Sequence, residues 1–244
     1  MKNIVIIPAR LAATRLPNKP LIDLCGKPMI QWVYERACKA KSIDEVFVAT
    51  CDQSIIDAVE AFGGKAILTS DKHTSGTDRI AEAVSNMDVE VIVNVQGDEP
   101  LIDPSSIDIA VDCFKKGNSD IASLMYSITN EQALDSNTVK VVVDINGFAL
   151  YFSRSPIPYF RKHIESVNYW GHVGVYVYRK ESLLKFASLE PSQLEQVESL
   201  EQLRALENGL RIRMAAITEK SIGVDTAEDI EEVCRRLKLL NIEN

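Results

Sequence analysis

The chain has no Cys-x-x-Cys pair. Its five cysteines (Cys25, Cys38, Cys51, Cys113 and Cys234) are odd in number and scattered. That pattern suggests neither a zinc site nor a disulfide framework, and reduced thiols in a cytoplasmic protein are the simple expectation. Positive charge is not in surplus either: 27 Lys and Arg stand against 35 Asp and Glu, for a formal net charge of -8. A nucleic-acid binder needs a broad basic face, so no nucleic-acid partner is expected. No apolar stretch approaches the roughly 20 residues that span a bilayer, and Ile4–Ile7 is too short for a signal-peptide core. Neither a membrane partner nor a leader is expected. Internal repeats, low-complexity tracts and clear interdomain linkers are absent. What remains is a chain of 244 residues, 46% hydrophobic and 25% charged, an ordinary globular composition. It is long enough to bury a substantial core, and it reads as a single domain over 1–244.

The basic residues that exist are concentrated at the amino end. Residues 1–27 hold Lys2, Arg10, Arg15, Lys19 and Lys27 against one acid, Asp23. Ile4–Ile7 is a run of β-branched apolar residues and predicts a buried first strand, which Pro8 should end for want of an N–H. A loop follows in which Arg10, Arg15 and Lys19 sit among Ala9, Ala12, Ala13, Pro17, Asn18 and Pro20. A cationic loop at the carboxyl end of a strand lies where open α/β sheets bind ligands. Small side chains let backbone N–H groups approach a phosphate, while Arg makes forked contacts and Lys supplies a point charge. The loop is read as a triphosphate cradle; a solvated surface loop is the plainer alternative.

Helix and strand patterns alternate beyond it. A helix is predicted from Pro28 to about Ala40, with Ile30, Val33, Tyr34 and Ala37 facing a sheet. Strand Glu45–Thr50, helix 53–62 and a short strand 65–68 continue the rhythm, which predicts a parallel sheet with right-handed crossovers. Thr74–Arg79 (TSGTDR) opens the next helix, with Ser75 and Thr77 as N-cap types and Gly76 allowing close backbone approach. Val91–Val95 reads as a fully buried strand that delivers Gln96, Gly97, Asp98 and Glu99 to a loop. A carboxylate there either shapes a turn or shares a cation with phosphates, and Mg²⁺ suits the second role. A helix over 104–116 and a strand over 121–126 follow. The pattern then changes: Val139–Val143 and Phe148–Phe152 flank Ile145-Asn146-Gly147, a type I′ hairpin signal. An antiparallel subdomain over about 126–178 is therefore expected. It carries Arg154, beside two prolines, and a strand 172–179 with His172, Gly174, Tyr176 and Tyr178 on one face. His172 is either a structural hydrogen-bonder or part of a wall for a polyhydroxyl ligand. A helical tract 194–208 ends at Gly209, and a strand covers 211–217. Asp225 precedes a final helix at capping-box spacing from Glu228, so Asp225 or Thr226 is its cap.

Several of these stretches carry a resemblance. The run IIPARLAATRLPNKPL…GKPMI resembles the opening signature of the nucleotide-sugar cytidylyltransferases, and more narrowly of the 3-deoxy-manno-octulosonate (Kdo) cytidylyltransferases, or CMP-Kdo synthetases. Alanines stand where the broader sugar nucleotidyltransferases have the glycines of GxGTRxxP. SGTDR, NVQGDEP, FSRSPIP, HVGVYVYR, LEQLR and GVDTAED match further family text in order, from residue 4 to about 235. The resemblance implies a Rossmann-like α/β nucleotidyltransferase fold, a mixed and mostly parallel sheet with helices on both faces. It implies transfer of CMP from CTP to the anomeric hydroxyl of Kdo, with pyrophosphate released, in lipopolysaccharide biosynthesis by a homodimer. A related acid sugar such as 8-amino-Kdo is the alternative acceptor. Arg10, Arg15, Lys19, Asp98 and Asp225 would be catalytic, the last two as Mg²⁺ ligands, which leaves Thr226 as the cap of the final helix. Pro8, Ala9, Arg10, Arg15, Lys19, Ser75, Gly76, Thr77, Arg79 and Gln96 would hold the nucleotide. Arg154, His172, Tyr176, Glu201 and Gln202 would border the sugar.

Overall fold

The computed structural model describes residues 2–12, 16–162 and 168–242. The chain divides into two compact units, one of residues 1–108 and 221–244 and one of residues 109–220.

The first unit is built on four parallel strands in the order β6-β1-β4-β5: β1 (Lys2–Ala9), β4 (Glu45–Thr50), β5 (Ala66–Leu68) and β6 (Val89–Asn94). A two-residue hairpin, β2 (Asp23–Leu24) with β3 (Lys27–Pro28), lies between β1 and α1 (Met29–Ala37). Helices α2 (Gln53–Ala61) and α3 (Gly76–Val84) cross between strands, and α9 (Ala227–Ile242) closes the unit. Ile4–Ile7 and Val91–Val93 are almost wholly excluded from solvent, as unbroken β-branched runs require.

Strand β1 does not stop at Pro8. Pro8 stays in register with Ala49 and Ala9 with Thr50. Residues two apart in a strand direct their backbone groups to the same side. Ile6 accepts from the Val95 N–H, so Pro8 also faces β6, but the β1–β6 register ends at Ile6 and Asn94. The missing N–H therefore costs no ladder bond.

Helix α4 (Pro104–Lys115) contains the boundary between the units. In the second unit, β7 (Ile121–Ile128) pairs parallel with β11 (Ile212–Ile217) and antiparallel with β10 (Tyr169–Arg179). A hairpin of β8 (Lys140–Val143) and β9 (Ala149–Ser153) joins β10 through Gly171 and Lys140. Helices α5 (Asn130–Leu134), α6 (Lys180–Ala187), α7 (Gln193–Glu198) and α8 (Gln202–Glu207) complete it. The antiparallel strands expected over about 126–178 fall inside this unit, which extends past them on both sides.

Two local expectations change. The hairpin forms, but its turn is not type I′, which needs positive φ at both central residues. Positive φ falls on Gly147 alone in this turn, at 81°; the Gly147 N–H reaches the Asp144 carbonyl at 3.0 Å, and the Asp144 carboxylate accepts from Asn146 and Phe148 at 2.8 Å each. The tract 194–208 is two helices. Ser199 turns left-handed at φ 53° between α7 and α8. The side chain and carbonyl of Glu198 at that break are engaged by Ser153 and Arg154.

Candidate active site

The three parallel strands β1, β4 and β6 end on one edge of their sheet, and their following loops build the site. The loop after β1 is tied to the loop after β4, where Asp52 Oδ2 accepts the Leu11 N–H at 2.8 Å. The loop after β6 passes very close to β1. A Cβ on Gly97 would lie 3.0 Å from the Pro8 carbonyl oxygen, so glycine is needed for that approach. Gly76 meets Pro8 from another side, where a Cβ would come within 3.2 Å of Pro8 Cγ.

These loops enclose a hollow of about 450 Å³, lined by Pro8–Arg10, Ala12, Lys19, Gln96–Asp98 and Asp225, among others. A second hollow of about 300 Å³ shares Pro8, Ala9, Arg10, Gln96 and Asp98 with it and extends to Ser75, Gly76 and Arg79. Both lie in the range of ligand pockets.

Lys19 opens a single 3-10 turn after Asn18, which takes the left-handed conformation (φ 56°) that Asn tolerates. Its ammonium lies 2.7 Å from Asp98 Oδ2 and 3.0 Å from Asp225 Oδ1. Burial works against the Lys19 charge, but the two carboxylates outweigh it and raise its pKa above the ordinary lysine value. Arg10 is exposed and makes no ion pair among the described residues. Arg15 lies outside the described residues.

Asp98 and Asp225, far apart in sequence, meet for identifiable reasons. The Val224 N–H donates to the Asp98 carbonyl at 2.9 Å. A Cβ on Gly223 would sit 3.3 Å from that same oxygen, and Ser221 hydrogen-bonds Glu99. The Val224 side chain is wholly buried with Leu24, Met29, Trp32, Leu101, Val233 and Leu237. Thr226 caps α9 as expected: its Oγ1 accepts from the Asp229 N–H at 3.4 Å, while Asp229 Oδ2 accepts the N–H groups of Asp225 and Thr226 at 2.8 Å each. The partner in this reciprocal cap is Asp229, not Glu228. Asp225 is left to direct its carboxylate at Lys19.

Ser75 is the N-cap of α3, its Oγ accepting from the Asp78 N–H at 3.1 Å. Thr77 is buried in the first turn. Arg79 is also buried, 3% exposed, and donates to Thr69 Oγ1 at 2.5 Å and the Ser70 carbonyl at 3.3 Å. It braces the segment after β5 against α3. Gln96 Nε2 donates to the buried Asn94 at 3.2 Å. His73 is half-buried and pairs with Glu82.

The remaining candidates lie in the second unit. His172 Nε2 is 2.9 Å from Ser123 Oγ, which also approaches the Val175 carbonyl at 2.8 Å. The single hydroxyl proton goes to the carbonyl, so the imidazole donates from Nε2 and keeps Nδ1 as an acceptor. Burial, with Lys220 adding to it, pulls the His172 pKa down to about 3. Burial and then the charge of Glu201 push the Tyr176 phenol well above its usual value. Both groups are therefore neutral. Their rings are 5.5 Å apart, and His172 meets Phe152 edge-on at 5.0 Å. The Arg154 guanidinium donates to the carbonyls of Glu198 at 2.7 Å, Ser136 at 2.9 Å and Ser199 at 3.4 Å. Glu201 accepts from Arg204 at 2.9 Å, and Gln202 is buried. Of the helpers around these residues, Asp52, Asp229 and Glu198 escape a sequence reading. Asp52 is an acid just after a strand end, and Asp229 is one of three acids in four positions.

Comparison with known proteins agrees with this architecture. The profile of the cytidylyltransferase family matches residues 4–213. The 3-deoxy-manno-octulosonate cytidylyltransferase of Geobacter sulfurreducens is 49% identical over 245 residues, covering 96% of this chain and 98% of the relative. Its counterpart from Flavobacterium johnsoniae is 50% identical over 242 residues, covering 98% and 99%. A solved structure of CMP:2-keto-3-deoxy-manno-octonic acid synthetase complexed with CTP superimposes with a TM-score of 0.94 at 43% identity, covering 98% of this chain and 99% of that one.

Proposed function

Because the chain belongs to the 3-deoxy-manno-octulosonate cytidylyltransferase family, we propose that it transfers CMP from CTP to Kdo, releasing pyrophosphate. The observation that carries this reading is the convergence of Lys19, Asp98 and Asp225 on one hollow at the carboxyl edge of a parallel sheet. That is where a nucleotide belongs in such a fold.

The triphosphate lies against the loop after β1. Arg10, Arg15 and Lys19 neutralise the charge that builds on the phosphates as the bond to pyrophosphate breaks. Backbone groups around Ser75 and Gly76 read the base. Asp98 and Asp225 fit a divalent cation, since both already present an oxygen to the same positive charge and carboxylates are the hard donors Mg²⁺ takes. Bound there, Mg²⁺ would orient the α-phosphate and lower the proton affinity of the attacking hydroxyl. The anomeric hydroxyl of the sugar attacks the α-phosphorus in line with the departing pyrophosphate, and no side-chain nucleophile is needed. Neutral His172 and Tyr176 suit sugar hydroxyls, Arg154 suits the sugar carboxylate through parallel N–H bonds, and Glu201 and Gln202 border the same ligand. The product serves lipopolysaccharide synthesis in the cytoplasm, and the enzyme works as a homodimer.

The test is pyrophosphate release with each of the four nucleoside triphosphates against Kdo and 8-amino-Kdo. Release with CTP and Kdo, dependent on both, supports the reading. CTP binding with no release across the panel contradicts it.

A further inference from the structure

Strand β8 holds a lysine in an otherwise apolar run of valines. Lys140 is fully buried, 0% exposed. Its ammonium donates to the carbonyls of Arg154 at 2.5 Å and Asp135 at 2.9 Å. No carboxylate among the described residues pairs with it directly. Burial holds its pKa below the ordinary lysine value, and the charges of Asp135 and Glu198 offset this only in part. Taking an ammonium out of water is costly even after relaxation. A valine or methionine would fill a strand interior without that cost. The position therefore calls for what the ammonium holds.

It holds the two chain segments that frame Arg154. The β8–β9 register ends where Lys140 faces Ser153. Arg154 is the first residue past the ladder, and its carbonyl takes the Lys140 ammonium in place of a strand partner. Asp135, the other acceptor, follows α5 and precedes Ser136, whose carbonyl receives Arg154 Nη1. On its far side Arg154 is fixed through Glu198, whose carboxylate accepts the Ser153 hydroxyl at 2.6 Å and the Arg154 N–H at 2.8 Å.

We propose that Lys140 is a positioning residue for recognition of the acid sugar, fixing through the Arg154 and Asp135 carbonyls the place from which the Arg154 guanidinium meets the sugar carboxylate. It touches no substrate. The proposal rests on the reading of Arg154 given above.

Wild type, K140M and R154A are compared by steady-state kinetics with CTP and Kdo, and by hydrogen exchange on peptides covering 150–160. K140M raises KM for the sugar roughly tenfold to a hundredfold, the scale of a small misplacement near the reacting groups. It leaves KM for CTP unchanged and speeds exchange at 153–155. R154A raises the sugar KM at least as much. Should K140M fold poorly, K140Q keeps an N–H donor and is read by the same split. Parallel losses in the CTP and sugar parameters, or an unchanged sugar KM in K140M where R154A raises it, overturn the proposal. If R154A itself leaves the sugar KM unmoved, the reading of Arg154 falls and the proposal with it. Faster exchange in K140M would then mark Lys140 as structural only.

Discussion

The Lys19 ammonium sits 2.7 Å from the Asp98 carboxylate and draws Asp225 to its other side at 3.0 Å. Lys19 is the more enclosed member, its side chain 14% exposed against 40% for Asp98 and 70% for Asp225. One cation thus holds together two acids that would otherwise repel.

Replacing Lys19 by Met removes that cation and leaves both carboxylates facing the phosphates. Turnover should fall roughly 10²–10³-fold, the usual loss for one preorganised charge contact, and KM for CTP should rise. Steady-state kinetics with varied CTP measures both. An unchanged KM for CTP would remove Lys19 from the phosphate cradle.

Gly97→Ala tests the close approach of two loops. The added Cβ lies 3.0 Å from the Pro8 carbonyl, so one loop must shift, at a cost of about 1–3 kcal/mol. Thermal unfolding should show a lower midpoint and CTP should bind more weakly. A midpoint equal to wild type would mean that the two loops do not pack this tightly.

Much of the site is visible in the sequence because strand ends and the residues just after them are marked by abrupt changes. Ile4–Ile7 gives way to a proline and an arginine, and Val91–Val95 to Gln96-Gly97-Asp98. What brings Asp225 to Asp98 is not visible. It depends on a backbone bond from Val224 to Asp98 and on a buried valine in a cluster drawn from three distant stretches of the chain. The passage of β1 through Pro8 is hidden for a similar reason. A proline costs a strand nothing where the neighbouring ladder has ended, and register is a property of the assembled sheet. At the Ser199 break the carboxylate and carbonyl of Glu198 are taken by Ser153 and Arg154, contacts that no helical pattern records.

Asp229→Ala removes the reciprocal cap of α9. The cost to stability should be about 1 kcal/mol. Turnover should fall as well, because Asp229 also accepts the Asp225 N–H. Chemical denaturation and kcat read the two effects separately. A stability loss with kcat intact would show that the cap does not place Asp225.

His172 gives a pH signature. Its folded value of about 3 lies below the ordinary 6.5, so protonation favours the unfolded chain. The stability it contributes is complete above the unfolded value and is lost as pH falls from there through about 3. The imidazole resonances of His172 should stay those of the neutral ring from about pH 8 to about pH 5. Titration near the ordinary value would show that the ring is hydrated.

The pairing of Asp98 with Asp225 is tested most directly by turnover at saturating CTP, Kdo and Mg²⁺ in D98N, D225N and the double variant. If the two carboxylates hold one cation, each single change lowers kcat roughly 10²–10³-fold, CTP binding largely survives in D98N, and the double change adds little, as expected for groups that act as a unit. Near wild-type turnover in D98N, or losses that simply multiply in the double variant, would contradict it.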